Sequence, residues 1–200
     1  MYAAPSRPRS VVAQERRRRI LSAATDLFQS RGFVGTTTDE IAEAAGITKR
    51  TLYKHMGSKA RILVEIHEQF IAEGLERWRS VVARGGAPED RLRGLIVEHI
   101  LTVAEFQPAI RVFFEEFKHL DEEERRLIVE RRDAYEAVLR EALREGMEAG
   151  AFRRLDLDVT TKAVLGALTE VYRWYRRDGE LGPEALGRFV ADQFVTGLLA

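Results

Sequence analysis

The sequence contains no cysteine, so neither a disulfide framework nor thiolate chemistry is available to this chain. It also has no run of about 18 apolar residues, which excludes a membrane-spanning helix. The basic residues near the start, within positions 1–19, are not followed by an apolar segment, so this stretch is not expected to be a secretion signal. Together these absences predict a cytoplasmic protein that does not attach to a membrane.

The usual patterns of catalytic and metal-binding residues are missing as well. Glu116 and His119 form one Glu-x-x-His, which is half of a di-iron carboxylate site, and no second pair exists. There is no His-Glu-x-x-His, no phosphate-binding glycine-rich loop and no Gly-x-Ser-x-Gly. Without cysteine, a zinc site is not expected either. We therefore expect no enzymatic activity, no cofactor and no metal.

Charge is distributed unevenly along the chain. The 32 Lys and Arg balance the 32 Asp and Glu overall. Residues 1–60, however, contain 11 basic and 5 acidic residues, a net charge of +6, which leaves −6 for residues 61–200. A basic first segment on an acidic remainder is expected if only the first segment contacts a polyanion. The arginine run at positions 16–19 fits a phosphate contact; the alternative is a solvated helix end.

Residues 36–59 predict two short helices joined by a tight turn and followed by the start of a third helix. Thr37 and Glu40 have the spacing of a capping box, which starts the first helix. Gly46 ends it, because a residue without Cβ adopts the left-handed conformation easily. Thr48 can cap the second helix through its hydroxyl oxygen. This arrangement is a helix-turn-helix.

The exposed face of the second helix of this motif is basic and polar, which suits the major groove of DNA. Lys and Arg donate to guanine O6 and N7, and Thr contacts a base edge or a thymine methyl. We expect Lys49, Arg50 and Thr51 to contact bases and the other residues mainly to hold phosphates. The predicted DNA-binding residues are Thr37, Thr38, Thr48, Lys49, Arg50, Thr51, Tyr53, Lys54, His55 and Lys59.

The segment GFVGTTTDEIAEAAGITKRTLYKHMGSK, residues 32–59, closely resembles the DNA-binding signature of TetR-type (TetR/AcrR) transcriptional repressors. With the apolar helix at residues 20–28, the resemblance covers about the first third of the chain. Arg50 stands where the family most often has a small residue, Met56 replaces the usual Phe, and Ala60 replaces a common Glu. Arg50 adds a long donor at the groove, whereas Met56 is a volume-tolerant exchange in a core.

The remainder of the chain predicts further helices, so the fold class is all-α with about nine helices. We expect a flexible N-terminal arm at residues 1–10, a helix-turn-helix DNA-binding domain at 11–57 and an effector-binding and dimerisation domain at 58–200. The last two helices are predicted at about 159–177 and from 183 to about 199, with Asp178-Gly179 and the residues after them as the connection.

Small and apolar residues recur at close spacing on the last two predicted helices. The resemblance implies that these helices pair with those of a second subunit as a four-helix bundle; the alternative is ordinary core packing within one chain. The residues predicted for this homodimer interface are Ala163, Gly166, Ala167, Leu186, Phe189, Val190 and Phe194.

The resemblance also implies a mostly apolar effector pocket enclosed by the fourth to eighth helices. Aromatic residues at helical spacing more often indicate a core, and a histidine on an apolar face is more often a hydrogen-bonded core residue. The residues predicted to line the pocket are Phe70, Trp78, His99, Val103, Phe113, Phe114, Phe117, Tyr135, Leu139, Leu168, Val171 and Tyr172.

Residues 171–181, VYRWYRRDGEL, resemble the C-terminal segment of acyl-CoA-responsive members of this family. Such an effector needs basic groups for its phosphates, which Arg173, Arg176 and Arg177 can supply. The alternative is that this segment only joins one helix to the next. The sequence thus predicts a homodimeric repressor that binds a palindromic operator and is released by an acyl-CoA or another small amphipathic or apolar effector. Two further classes stay open, an all-α small-molecule-binding protein and a DNA architectural protein without effector.

Overall fold

A computed structural model describes residues 11–200, and the predicted flexible arm lies outside the described residues. Its helices run in the order α1 Val11–Arg31, α2 Thr38–Ala44, α3 Lys49–Met56, α4 Lys59–Arg84, α5 Pro88–Glu105, α6 Gln107–Glu116, α7 Glu122–Glu148, α8 Leu157–Thr169, α9 Val171–Trp174 and α10 Pro183–Leu198. A 3₁₀ turn, Phe117–His119, follows α6. Over residues 11–200 the only β feature is an isolated bridge between Phe152 and Leu199. The all-α prediction is confirmed.

The helix boundaries follow the local signals in the sequence. The capping box predicted at Thr37 and Glu40 is present at the start of α2. A second box, from Asp121 and Glu124, starts α7. Gly46 has a φ of 65°, a backbone conformation that favours glycine, and it makes the turn between α2 and α3. Helix ends are thus encoded by residues close to them in sequence.

The predicted helix at residues 159–177 is wrong in its length. Helix α8 ends at Thr169, Glu170 interrupts it, and α9 ends at Trp174. The cause comes from α6: the Gln107 amide donates to the carbonyl oxygens of Tyr172 and Tyr175 at 2.9 and 2.7 Å. Carbonyls satisfied by a side chain do not need the next helical turn, so the chain leaves the helix there.

Two apolar cores lie along α4, which at 26 residues is about 39 Å long. The first core joins α1–α3 to the beginning of α4, and α6 and α7 add Val112, Phe113 and Ile128 to it. The second core fills the space between α4, α5, α7, α8, α9 and α10, with Trp78 fully buried in it. Helix α4 therefore contributes side chains to both cores.

A charged cluster fastens α1 to α4. Glu65, which is only 9% exposed, accepts hydrogen bonds from Arg17 and from Arg61. Burial acts to raise the pKa of the Glu65 carboxyl, but the hydrogen bonds and charges of the two arginines outweigh it and hold this pKa below its ordinary value. The carboxylate is therefore charged at neutral pH and pairs with two guanidinium groups where α1 meets α4.

Glu65→Gln is expected to lower the free energy of unfolding by about 1–3 kcal/mol at neutral pH, because it leaves a half-buried guanidinium without its counter-charge. A carboxyl whose pKa is depressed by folding adds stability above its unfolded pKa and loses it as the pH falls through the folded value. Urea unfolding at several pH values should therefore show the difference from wild type shrinking below the ordinary pKa of 4.5.

Glu15→Gln is the matched control for this variant, since Glu15 pairs with Arg18 on the exposed side of α1. An exposed pair contributes little to stability, so the control should be close to wild type. A Glu65→Gln effect that stays constant from neutral pH into acid would contradict the proposed charge state.

No helix of the described part of the chain is both long and apolar enough to cross a bilayer.

Candidate DNA-binding surface and effector cavity

Helices α2 and α3 form the helix-turn-helix, held together from inside. Leu52 is fully buried and Met56 is 4% exposed, so both fix the inner face of α3. The turn is closed by the Ile47 amide, which donates to the Ala42 carbonyl at 2.9 Å. The Thr48 hydroxyl accepts from the Thr51 amide at 3.2 Å and caps α3. The opposite face of α3 is consequently presented to solvent in one orientation.

Two cations on that outer face are uncommitted. Arg50 and Lys54 are exposed, and neither side chain makes a hydrogen bond or ion pair within the portion of the chain that is described. Lys49 is also exposed, but its ammonium pairs with Asp39 at 2.9 Å. A bound polyanion thus meets Arg50 and Lys54 without competition, whereas it must displace Asp39 from Lys49.

Neighbouring polar residues on this surface are arranged by contacts with one another. The Tyr53 and Thr38 hydroxyls lie 3.2 Å apart, which ties α3 to α2. The His55 ring lies 3.2 Å from the Arg16 guanidinium, which ties α3 to α1. Thr37 uses its hydroxyl in the capping box of α2. These contacts hold the side chains of Tyr53 and His55 in place at the surface of the head.

Lys59, also predicted to bind DNA, uses its ammonium within the protein. Its ammonium donates to the carbonyl oxygens of Phe33 and Thr36 at 2.6 and 2.7 Å and lies 4.4 Å from the centre of the Phe33 ring. It anchors the loop between α1 and α2, so two of its three protons are already used. Two arginines of the run at positions 16–19 are similarly engaged, since Arg17 pairs with Glu65 and Arg19 donates to the Gly46 carbonyl.

A cavity of about 40 Å³ lies between α4, α5, α6, α7 and α8. This space holds a few water molecules at most, so a larger ligand extends towards the opening or displaces side chains. Of the wall residues, Phe114 and Arg132 are the exposed ones, so the cavity reaches the surface beside them. The lining residues are Ile66, His67, Phe70, Ile71, His99, Ala109, Ile110, Phe113, Phe114, Arg132, Tyr135, Leu165 and Thr169.

The residues predicted to line the effector pocket coincide only in part with the lining of this cavity. Phe70, His99, Phe113, Phe114 and Tyr135 line the cavity. The predicted residues that do not line it are Trp78, Val103, Phe117, Leu139, Leu168, Val171 and Tyr172.

Each of these seven residues is used elsewhere. Trp78 donates its indole N–H to the Leu95 carbonyl at 2.8 Å and stacks on Tyr135. Tyr172 stacks on the ring of Phe114, and Phe117 packs against the first core. The remaining four fill the second core: Val103, Leu139, Leu168 and Val171.

His99 lies in the wall of the cavity, and both of its ring nitrogens have polar neighbours. Its Nδ1 lies 2.9 Å from the Tyr135 hydroxyl and its Nε2 lies 3.4 Å from the Thr169 hydroxyl. Burial lowers the pKa of His99 to about 3, so the ring is neutral at physiological pH. Gly74 makes room for this arrangement, because a Cβ there would lie 2.9 Å from the Tyr135 ring.

His67 was not predicted for the pocket, yet it lines the cavity from α4. It is 5% exposed, and its Nδ1 is buried without a hydrogen-bond partner in the described structure. Burial, with a smaller contribution from the charge of Arg132, lowers the pKa of His67 to about 3. Only its position one turn before Phe70 could have indicated this role from sequence.

The three arginines predicted to bind phosphates are engaged within the protein. Arg173 pairs with Glu170 at 2.8 Å and Arg176 with Asp178 at 3.1 Å. Arg177 donates to two carbonyls at the end of α5, at 2.9 and 2.8 Å. None of the three lines the cavity. The basic residue at the cavity is Arg132 instead.

The predicted interface residues mostly lie on an exposed face of α8 and α10. Ala163, Gly166 and Ala167 are exposed on α8, and Phe189 is 61% exposed on α10. Val190 and Phe194 are half-buried against the second core. Leu186, at 4% exposure, packs in the core of its own chain and lies behind this face. Val159 on α8 and Trp174 on α9 are further exposed apolar side chains, at 65% and 57% exposure.

The helix-turn-helix head and the helical body define a two-part DNA-binding regulator. Residues 20–66 match the family model of bacterial regulatory proteins of the tetR family, and residues 85–198 match that of the tetracyclin repressor-like C-terminal domain. The chain therefore belongs to the tetR family and is a DNA-binding transcriptional regulator.

Relatives of known structure agree with this over nearly the whole chain. The regulator PfmR from Thermus thermophilus is 32% identical and superposes with a TM-score of 0.81, covering 91% of this chain and 100% of its own. The transcriptional repressor KstR2 of Mycobacterium tuberculosis is 29% identical over 86% of this chain and 88% of its own. AibR, solved with isovaleryl coenzyme A and operator DNA, is 31% identical with a TM-score of 0.75, over 92% and 98% of the two chains.

Proposed function

We propose that this chain is a cytoplasmic repressor that binds a pseudo-palindromic operator as a homodimer and is released by a small amphipathic effector, an acyl-CoA being the first candidate. The observation that carries the DNA-binding part is the outer face of α3, where Arg50 and Lys54 are exposed and unpaired on a helix whose inner face is buried. Repression is supported by the relative KstR2, which is named as a repressor.

In this proposal the outer face of α3 enters the major groove. Lys49, Arg50 and Thr51 contact base edges, because they lie on the first turn of α3, the end of a recognition helix that meets the bases. Thr37, Tyr53, Lys54 and His55 hold phosphates on either side. Thr38 and Thr48 support this surface through their contacts with Tyr53 and Thr51. We divide the chain into a DNA-binding domain at residues 11–57 and an effector-binding and dimerisation domain at 58–200. Helix α4 belongs to the second domain and packs in both cores.

Dimerisation is supported by the apolar face of α8 and α10. A recognition helix of eight residues reads only a few base pairs, and a two-fold dimer doubles the contact with a palindromic site. Close packing of helices across the interface is favoured by Gly166, whose missing Cβ would meet nothing within 4 Å in the protomer. We place Ala163, Ala167 and Phe189 at the centre of this interface.

Effector control is supported by the position of the cavity along α4. Ile66, His67, Phe70 and Ile71 line it from this helix, which begins at Lys59, three residues after the end of α3. A ligand that widens the cavity displaces α4 and so changes the separation of the two recognition helices. That separation must match one DNA turn, about 34 Å. The operator is then released, because the protein with displaced α4 helices binds it more weakly.

Titration of operator complexes with acyl-CoAs should show release by at least one of them. The operator is first selected from random duplexes, and release is followed by fluorescence anisotropy. The coupling should be on the order of 1–3 kcal/mol, and DNA should weaken effector binding by the same factor. Tight binding of a planar cation with no response to any acyl-CoA would reject an acyl-CoA as the effector. The assignment as a repressor would not be affected.

Ala109→Leu tests whether this cavity is the effector site. Ala109 lines the cavity, and the larger side chain occupies the space of about 40 Å³. The variant should bind operator like wild type and lose its response to the effector. Ala72→Leu, on the exposed side of α4, is the control and should respond normally. An unchanged response in Ala109→Leu would place the effector elsewhere.

A further inference from the structure

We propose that the cavity takes an amphipathic acid whose apolar body lies among the aromatic side chains, whose anionic group is bound by Arg132, and one of whose polar atoms hydrogen-bonds to His67. The inference rests on the proposed effector control and specifies the chemistry of the same site. It assigns the anion to α7, at the exposed end of the cavity, and not to the segment at residues 171–181.

Arg132 is the cation available at the cavity. It lines the exposed end and makes no ion pair or hydrogen bond within residues 11–200. The preceding residue, Arg131, differs, because it pairs with Glu68 at 3.7 Å and does not line the cavity. The lining residues include no carboxylate that could neutralise Arg132 or attract a cationic ligand. A guanidinium in this setting binds a carboxylate or a phosphate oxygen.

His67 supplies the second polar contact, deeper in the cavity. Its buried Nδ1 has no partner in the described structure, and buried polar atoms without partners are rare and usually have a function. His99 provides the contrast, since both of its ring nitrogens have partners in the wall. Of the two buried histidines in the cavity, His67 is therefore the one with hydrogen-bonding capacity left for a ligand.

The rest of the wall determines the body of the ligand. Phe70, Phe113 and Phe114 surround the space together with aliphatic side chains. Apolar walls with a few orienting polar groups are typical of small-molecule sites. Two sources share this chemistry: a free carboxylic acid, bound through its carboxylate, and a coenzyme A thioester, bound through its phosphates with the thioester oxygen near His67.

Calorimetric titration of the full-length protein with hexanoate, decanoate, decanoyl-CoA, decan-1-ol and decyltrimethylammonium tests this assignment. Wild type should bind decanoate or decanoyl-CoA more tightly than the alcohol and should bind the cation least. Arg132→Gln should weaken the bound anion roughly 10- to 100-fold, as expected for loss of a charged hydrogen bond, and leave the alcohol unchanged. Arg131→Gln is the matched control and should bind every probe like wild type.

His67→Phe replaces the imidazole by a phenyl ring, which is aromatic but has no nitrogen. It should weaken the anion without lowering Tm, because no hydrogen bond of Nδ1 is lost in the unliganded protein. Preference for decanoate over decanoyl-CoA identifies the free acid as the source, and the reverse preference identifies the thioester. The inference is overturned if no anion binds wild type, if the cation binds as tightly as the anions, or if Arg132→Gln binds them unchanged.

Operator affinity of each variant without ligand separates this inference from the proposed function. All four proteins should bind operator alike, since Arg131, Arg132 and His67 lie in the body. If the anion binds through Arg132 but does not release the operator, the effector control is wrong and the binding site stands. If a ligand releases the operator equally well from wild type and from Arg132→Gln, the effector control stands and the assignment of the anion to Arg132 is wrong.

Discussion

Arg50→Ala is expected to weaken operator binding by about 1–3 kcal/mol, a loss in affinity of roughly 5- to 150-fold, and to relax the base preference. The reason is that the Arg50 side chain is exposed on the first turn of α3, and no contact within the protein has to be broken before it binds DNA. Its guanidinium can donate two parallel hydrogen bonds to one guanine, which an alanine cannot replace. Anisotropy titrations on the operator, on single-base variants and on random duplexes measure both effects.

Lys54→Ala is the comparison for this variant, since the Lys54 side chain is also exposed and unpaired but lies one turn further along α3. As a phosphate contact it should weaken operator and random DNA by the same factor and lower the salt dependence of binding by about one unit. Should Arg50→Ala and Lys54→Ala each lose equal affinity on operator and on random DNA, the division into base and phosphate contacts would be wrong.

Gly166→Glu and Phe189→Glu are each expected to produce monomers whose operator affinity falls by at least about 100-fold, because two linked half-sites bind far more tightly than one. The change at Gly166 does not disturb the protomer, since its Cβ would meet nothing within 4 Å. Phe189 is likewise 61% exposed in the protomer. A loss of assembly with intact folding therefore reports on the interface alone.

Val129→Glu is the control, because Val129 is 51% exposed on α7, outside the face of α8 and α10. It should remain dimeric and bind operator normally. Sedimentation velocity gives the assembly state, and circular dichroism verifies folding. A wild-type protein that sediments as a monomer at micromolar concentration would remove the dimer proposal.

The helix-turn-helix was predictable because its signals are local. A capping box at Thr37 and Glu40, a glycine at position 46 and a cap at Thr48 act over three or four residues, and each is present in the structure. The same holds for the start of α7 at Asp121. Physical causes that operate within one helical turn can be recognised in a single sequence.

The errors arose where the cause lies far away in the chain. The early end of α9 depends on Gln107, which is 65 residues before Tyr172. The anchoring of the loop after α1 depends on Lys59, 26 residues after Phe33. Neither contact leaves a periodic pattern in the sequence.

The cavity wall was predicted in part for a related reason. Helical spacing indicates which residues of a helix are buried, but not whether they face another helix or an open space. Val103 and Leu139 follow the same apolar spacing as Phe70 and Phe113, and only packing assigns the first two to the core. His67 and Arg132 interrupt the apolar pattern, so a search for apolar stripes passes over them.

The measurement that tests the central claim most directly is a hydroxyl-radical footprint of the protein on the DNA upstream of its own gene. The proposed repressor should protect two inverted half-sites on one face of the duplex, with centres about one turn or 10–10.5 base pairs apart or a multiple of that. Addition of the effector should remove the protection. Uniform protection along the fragment, or none above that on random DNA, would contradict an operator-specific dimeric repressor.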